Sequence, residues 1–217
     1  MDEAMWRACA GRYLLPHLPG NWSITGDLLH LREKNEWIVC GLHPNHYEGA
    51  NWFKVERLVQ FLARPSTYRY GPPYDSLRHR ESGGLPTLPG SVDEAGPVMQ
   101  EILESIRAEV LPFFDQLKTV DGYLRWVEQY SDNSPDDSNF LELLFYAQLI
   151  HGQVHEAQHT AARILQLPEQ YDPGWFMALT GRVRRVSELA AKDVPSAQSL
   201  LREWATDTWR EISKTGS

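Results

Sequence analysis

The chain has 217 residues, 42% hydrophobic and 23% charged, and its eight tryptophans exclude the composition of a disordered segment. With 29 acids against 21 Lys and Arg the formal net charge is -8, so the mean field opposes nucleic acid and anionic lipid and suits a basic protein partner. Cys9 and Cys40 lack the spacing of a redox or zinc motif, the N-terminus lacks the pattern of a signal peptide, and no run approaches the ~18 apolar residues of a membrane span; a reduced, cytoplasmic protein with no membrane partner is expected.

A first helix is predicted from about Asp2 to Leu15, where Met5, Cys9 and Tyr13 recur at four-residue spacing until Pro16 and Pro19-Gly20 end it. Two short strands, Asp27 to Arg32 and Glu36 to His43, flank the polar Glu33-Lys34-Asn35 at hairpin spacing. A third run, "FKVERLVQFLAR", alternates Phe53, Val55, Arg57, Val59 and Phe61 on one face. The intervening "PNHYEGANW" mixes polar and aromatic residues, and loops on a rigid sheet often carry function. Its His46 and Trp52 are candidate binding residues at a contact centre, against the plainer role of Trp as core.

Residues 65 to 97 are crowded with Pro and Gly and without period, which predicts a long irregular connection. Within it Tyr68, Tyr70 and Tyr74 interleave with Arg69, Arg78, His79 and Arg80, a mixture able to stack bases and contact phosphates. At this net charge, tyrosines covering a sheet edge beside solvated arginines are the favoured reading.

From Pro97 the pattern is helical. Met99, Ile102, Leu103, Ile106 and Val110 form a stripe that should stop at Leu111-Pro112. A helix from Thr119 or Val120 to Tyr130 follows, and "SPDD" at 134 to 137 supplies an N-cap serine, a proline at N1 and two first-turn acids. Asp172-Pro173 starts another helix, and Leu200, Leu201, Trp204, Thr208 and Ile212 stripe the last. The chain is β-rich early and helical late, an α+β arrangement. The expected organisation is an α+β domain over 1–118, with a small antiparallel sheet packed on helices, and a helical region over 119–217.

In the segment "FLELLFYAQLIHGQVHEAQHTAARILQLP", Leu144, Ala147, Gln148 and Leu149 lead to Gly152, then to Ala157, Ala161, Leu165 and Pro168. This spacing resembles one tetratricopeptide helical hairpin over 138–168, with no second copy one repeat length on. It also contains His155-Glu156-Ala157-Gln158-His159, literally the H-E-x-x-H of zinc peptidases, in which His155 and His159 would be ligands and Glu156 the general base. If Ala157 and Ala161 are core, however, the histidines share a face about 160 to 200 degrees away, turned from any shared pocket. Zinc chemistry needs two imidazoles and a third ligand converging in a cleft, for which Glu188 or Glu169 is available, so zinc is the alternative and no cofactor the preferred reading.

Asp132, Asp136, Asp137 and Glu142 cluster between 131 and 142, without the alternating ligands or central Gly of an EF-hand. Capping accounts for Asp136 and Asp137, and as a docking patch for a basic partner the cluster would speed association and weaken in salt. Arg182, Arg184 and Arg185 read as a helix's wet face. No G-x-S-x-G, G-x-x-x-x-G-K or G-x-G-x-x-G is present.

The phrase "IRAEVLPFFDQLKTVDGYLRWV", residues 106 to 127, joins a helix closing in Leu-Pro-Phe-Phe-Asp to a new helix near Thr119. With the order of helix, hairpin, strand, Pro-rich loop and long helix before it, the chain over residues 1 to 130 resembles a bacterial family of small α+β domains of unknown function, often found beside toxin genes and regarded as immunity proteins. The resemblance implies a fold and protein binding, and brings no catalytic residues. The expected function is non-catalytic binding of another protein, as an immunity factor occluding a basic toxin with Asp132, Asp136, Asp137, Trp52 and His46; the alternative is a zinc-dependent hydrolase.

Overall fold

A computed structural model describes the chain except residues 32–35, 47–48, 68–74, 78–84, 169–171 and 215–217. The fold is α+β, with an N-terminal helix, an antiparallel sheet and a C-terminal helical region. Two compact units make it up: Met1–Gln60, Ser66–Lys118 and Trp209–Ser217 form one, Phe61–Pro65 and Thr119–Thr208 the other. Among the described residues no helix is long and apolar enough to cross a membrane.

The first unit opens with α1 (Glu3–Cys9), capped by Asp2, whose side chain accepts from the Met5 amide. A π-helical turn over Ala10–Leu14 and a 3₁₀ turn over Leu15–His17 extend it. Its inward face is Trp6, Cys9, Ala10 and Leu14, all fully buried. The four-residue spacing of Met5, Cys9 and Tyr13 therefore runs along the edge of the buried stripe, since a 3.6-residue period favours i, i+3, i+4 and i+8.

β1 (Trp22–Thr25), β2 (Leu28–Leu31), β3 (Ile38–Asn45), β4 (Lys54–Phe61) and β5 (Asp75–Ser76) form a sheet in sequence order, with β1–β2, β2–β3 and β4–β5 antiparallel. β1 is an addition to the sequence reading: it is four residues long and turns into β2 at Gly26, whose φ of 60° suits a two-residue hairpin. The turn expected at Glu33-Lys34-Asn35 lies outside the described residues. Arg57, placed on the apolar face by its alternation, lays its guanidinium over Phe113, 4.3 Å from the ring centroid. In the connection after β4, described residues make regular backbone pairings that the composition did not suggest. Asp75–Ser76 adds a strand, and Trp52 bridges Thr87, with Phe53 N–H donating to Pro86 O at 3.0 Å and Leu88 N–H to Asn51 O at 2.9 Å.

α2 (Gly96–Ser105) buries Met99, Ile102 and Leu103, and a π turn over Ile106–Val110 buries Ile106 and Val110. The helix does not stop at Leu111-Pro112. It continues as α3 (Leu111–Leu117), because Leu111 N–H bonds five residues back to Ile106 O. The widened turn makes room for a ring that would clash with the carbonyl four residues earlier in an unbroken α-helix. The same device stands before Leu15-Pro16, where Leu15 N–H bonds to Ala10 O. α3 meets the sheet through Phe114, 6.3 Å from Trp22 between ring centroids.

The second unit holds α4 (Val120–Asn133), α5 (Ser138–His151), α6 (Val154–Gln166), α7 (Pro173–Ala190) and most of α8 (Val194–Lys214). Thr119 caps α4 by accepting from the Gly122 amide, and Asp172 caps α7 by accepting from Trp175, with Pro173 at N1. The "SPDD" start signal is displaced. Ser134 ends α4, and Asp137 caps α5 by accepting from the Asn139 amide. α5 is buried on nearly every side, which marks it as the centre of this unit. Gly152 ends it at φ 90°, a left-handed position that glycine takes without strain, and the chain turns into α6. α6 buries Ala157, Thr160, Ala161 and Ile164, whereas Leu165 of the predicted hairpin pattern is exposed.

Candidate binding site

In the second unit α4, α5 and α6 enclose an open recess of about 480 Å³. Glu128, Ser131 and Asp132 come from α4, Leu144 and Gln148 from α5, and His155, Glu156, His159, Thr160 and Arg163 from α6. On α6, Ala157 and Ala161 point into the packed interior, so residues 155, 159 and 163, at successive i+4 steps, fall on the flank that looks toward α4. The floor is polar: Thr160 Oγ1 donates to Gln148 Oε1 at 2.8 Å, both residues being buried.

Here the sequence reading needs correcting on orientation. Both imidazoles are exposed, as the inward alanines require, yet they line one shared recess instead of turning away from any pocket. Glu156 lines it too. Among the described residues, however, no group of three or more His, Cys, Asp or Glu side chains is arranged to hold a metal ion. Of the third ligands considered, Glu169 lies outside the described residues.

The acidic cluster divides by role. Asp132 and Asp136 are exposed, and Asp137 is committed to its capping bond of 2.9 Å to Asn139 N–H. Glu142 belongs to no docking patch: it is completely buried, with Oε2 3.1 Å from Arg64 Nε and Oε1 accepting from Arg182 and from the Tyr146 hydroxyl at 3.0 Å. Arg182, read as part of a wet helix face, is therefore the partner of a buried carboxylate, while Arg184 and Arg185 are exposed. Burial pulls the Arg182 guanidinium toward losing its proton, but Glu142 and then Tyr146 outweigh this and hold it above its ordinary value. Burial, followed by the Glu142 charge, pushes the Tyr146 phenol well above its ordinary range.

His46 and Trp52 belong to the first unit. His46 is exposed, its Nε2 3.3 Å from Ala50 O, and lines a recess of about 620 Å³ together with Met1, Met5, Pro44, Leu88 and Pro89. Trp52 is half-buried and occupied by its bridge to Thr87, so it is not an exposed contact centre. Tyr68, Arg69, Tyr70, Tyr74, Arg78, His79 and Arg80 lie outside the described residues. Cys9 and Cys40 are not disulfide-bonded, and both are buried.

One feature escaped the sequence reading. Trp126 and Tyr130, four apart on α4, pack with Phe140 of α5: Tyr130 stacks on Phe140 at 5.2 Å with 17° between planes, and Trp126 lies 4.6 Å from Tyr130 and 6.1 Å from Phe140. Tyr130 remains 38% exposed. The i, i+4 aromatic pair was visible in the sequence, but Phe140 joins it only through the α4–α5 packing.

Comparison with protein-family models, with curated proteins and with solved structures finds no match to this chain.

Proposed function

We propose that this is a protein-binding protein without turnover, whose second unit presents an aromatic and acidic surface to a basic partner. The observation that carries this reading is the Tyr130–Phe140 stack, left 38% exposed at Tyr130 and continued along the chain by exposed Asp132 and Asp136. A rigid aromatic pair offers contact area at small entropic cost, and surrounding charge sets partner sign and association rate. The resemblance over residues 1 to 130, to a family found beside toxin genes, adds a toxin as the partner to be occluded, and the net charge of -8 adds its basic sign.

The competing zinc hydrolase is favoured by His155 and His159 sharing a recess with Glu156. It lacks a third ligand placed beside them among the described residues.

The test is coexpression with toxic proteins encoded beside this chain's own gene. The reading expects restored growth and a stoichiometric complex that weakens in high salt and on Tyr130→Ala. Retention of full protection and full affinity by the combined Asp132→Lys, Asp136→Lys and Tyr130→Ala variant would remove this surface from the interface.

A further inference from the structure

The recess between α4, α5 and α6 has a property that acidic clustering alone does not provide. Ser131 lines it, is only 3% exposed, and its Oγ has no hydrogen-bond partner among the described residues. Hydroxyls inside helices ordinarily return to the carbonyl four residues back, as Thr180 does to Phe176 O at 3.0 Å, Thr206 to Arg202 O at 2.9 Å and Ser213 to Trp209 O at 2.5 Å. Ser131 makes no such bond. A buried polar atom left without a partner carries a desolvation cost that a ligand's donor can relieve.

The lining that includes Ser131 also holds three carboxylates, Glu128 and Asp132 from α4 and Glu156 from α6, and the Arg163 guanidinium. Arg163 is engaged elsewhere, donating to Pro135 O at the turn before α5. Three carboxylates against one guanidinium make these charged groups net negative. Leu144 adds an apolar wall, against which a hydrocarbon stem can lie.

We propose that the recess is the receptor for one lysine side chain of the partner protein, its ammonium donating to Ser131 Oγ between Glu128, Asp132 and Glu156 and its stem lying along Leu144. Lysine fits better than arginine because a compact ammonium with rotatable donors can serve a single deep acceptor and several rim charges, whereas a guanidinium fork wants paired coplanar acceptors. This deepens the basic-partner reading and rests on it for the source of the lysine. It also assigns a role to the face that carries His155 and His159: the imidazoles form one wall of a cation receptor.

The experiment is a titration of the amide spectrum of the full chain with a short lysine-containing peptide, with the same peptide acetylated on that lysine, and with free spermidine. The expected result is saturable shifts centred on Ser131, Asp132, Gln148 and Thr160 with the lysine peptide, and none with the acetylated one. Ser131→Ala should weaken binding about tenfold, and the triple Glu128→Gln, Asp132→Asn, Glu156→Gln variant should abolish it. Absence of saturable shifts, equal shifts with the acetylated peptide, equal affinity in Ser131→Ala, or tighter binding of spermidine than of the peptide would each overturn the proposal. Failure here is separable from failure of the functional reading. A toxin complex untouched by the triple substitution sinks the receptor and spares the reading, whereas lysine-peptide binding without any protein complex does the reverse.

Discussion

Arg182 places both Nε and Nη2 2.8 Å from the same oxygen of Glu142, a carboxylate with no exposed surface. Arg64 meets the other oxygen, and also donates to Asn139 Oδ1 at 2.8 Å and accepts from Thr208 at 3.3 Å through its backbone carbonyl. Arg64 thereby ties the segment 61–65 to α5 and α8, and reaches Arg182 on α7 only through their shared carboxylate. Removing one partner of such a network leaves uncompensated buried charge, which costs about 3–5 kcal/mol. Glu142→Ala should lower unfolding stability in urea by that amount. Arg182→Met, which leaves Arg64 on the carboxylate, should cost about 1–3 kcal/mol, and a double-mutant cycle between Arg64 and Arg182 should be non-additive.

Tyr146 gives this network a pH signature. Its folded-state phenol is held well above the ordinary value of 10.0, so above that pH the unfolded chain releases a proton that the folded chain keeps. Stability present below pH 10.0 is therefore lost as pH rises through the interval up to the raised folded value, at about 1.4 kcal/mol per pH unit for one proton. Urea midpoints between pH 9 and 11 should fall more steeply for the natural chain than for Tyr146→Phe; parallel slopes would contradict the burial of this hydroxyl.

The capping assignment of α5 separates two adjacent aspartates. Asp137 accepts the Asn139 amide, so Asp137→Ala should cost about 1 kcal/mol in stability, while Asp136→Ala, on an exposed side chain, should leave the unfolding midpoint unchanged. Charge reversal aimed at partner binding belongs at Asp132 and Asp136, where it does not also unsettle a helix start.

In the first unit, a side chain at Gly41 would put its Cβ 2.9 Å from Leu28 Cδ1 and 3.0 Å from Leu29 O. Leu28 is fully buried and Leu29 O is backbone of the neighbouring strand, so neither can yield easily. Gly41→Ala should cost about 1–3 kcal/mol through overpacking, measured by thermal unfolding. Gly11→Ala, which meets nothing within 4 Å, serves as the control.

Both thiols should be chemically silent in the folded chain. Burial pushes the Cys9 thiol above its ordinary value despite the nearby Arg12 charge, and Cys9 and Cys40 are 0% and 2% exposed. An aromatic disulfide reagent should label neither in native buffer and both in guanidinium. For the recess, His155→Ala with His159→Ala should leave the melting temperature unchanged with or without a chelator; a chelator-sensitive melt in the natural chain would restore the zinc reading.

Local rules were enough to read much of the secondary structure from the residues. The caps at Thr119 and Asp172 were legible because the capping oxygen sits two or three residues from the amide it serves, and the stripe from Met99 to Val110 because a 3.6-residue period is carried by the sequence itself. Ala157 and Ala161 were placed inward by the spacing that resembles a tetratricopeptide hairpin, and both are buried. What only the tertiary structure decided is which charges and rings meet. Glu142 and Arg182 are 40 residues apart, and nothing local distinguishes a carboxylate that will be buried between two guanidiniums from one left in water. The inward turn of Ala157 set the direction of the two imidazoles from the α6 axis, but α4, arriving with Glu128, Ser131 and Asp132, made that flank the wall of a recess. Spacing along one helix determines direction from its own axis; the neighbour found in that direction depends on how separate helices pack.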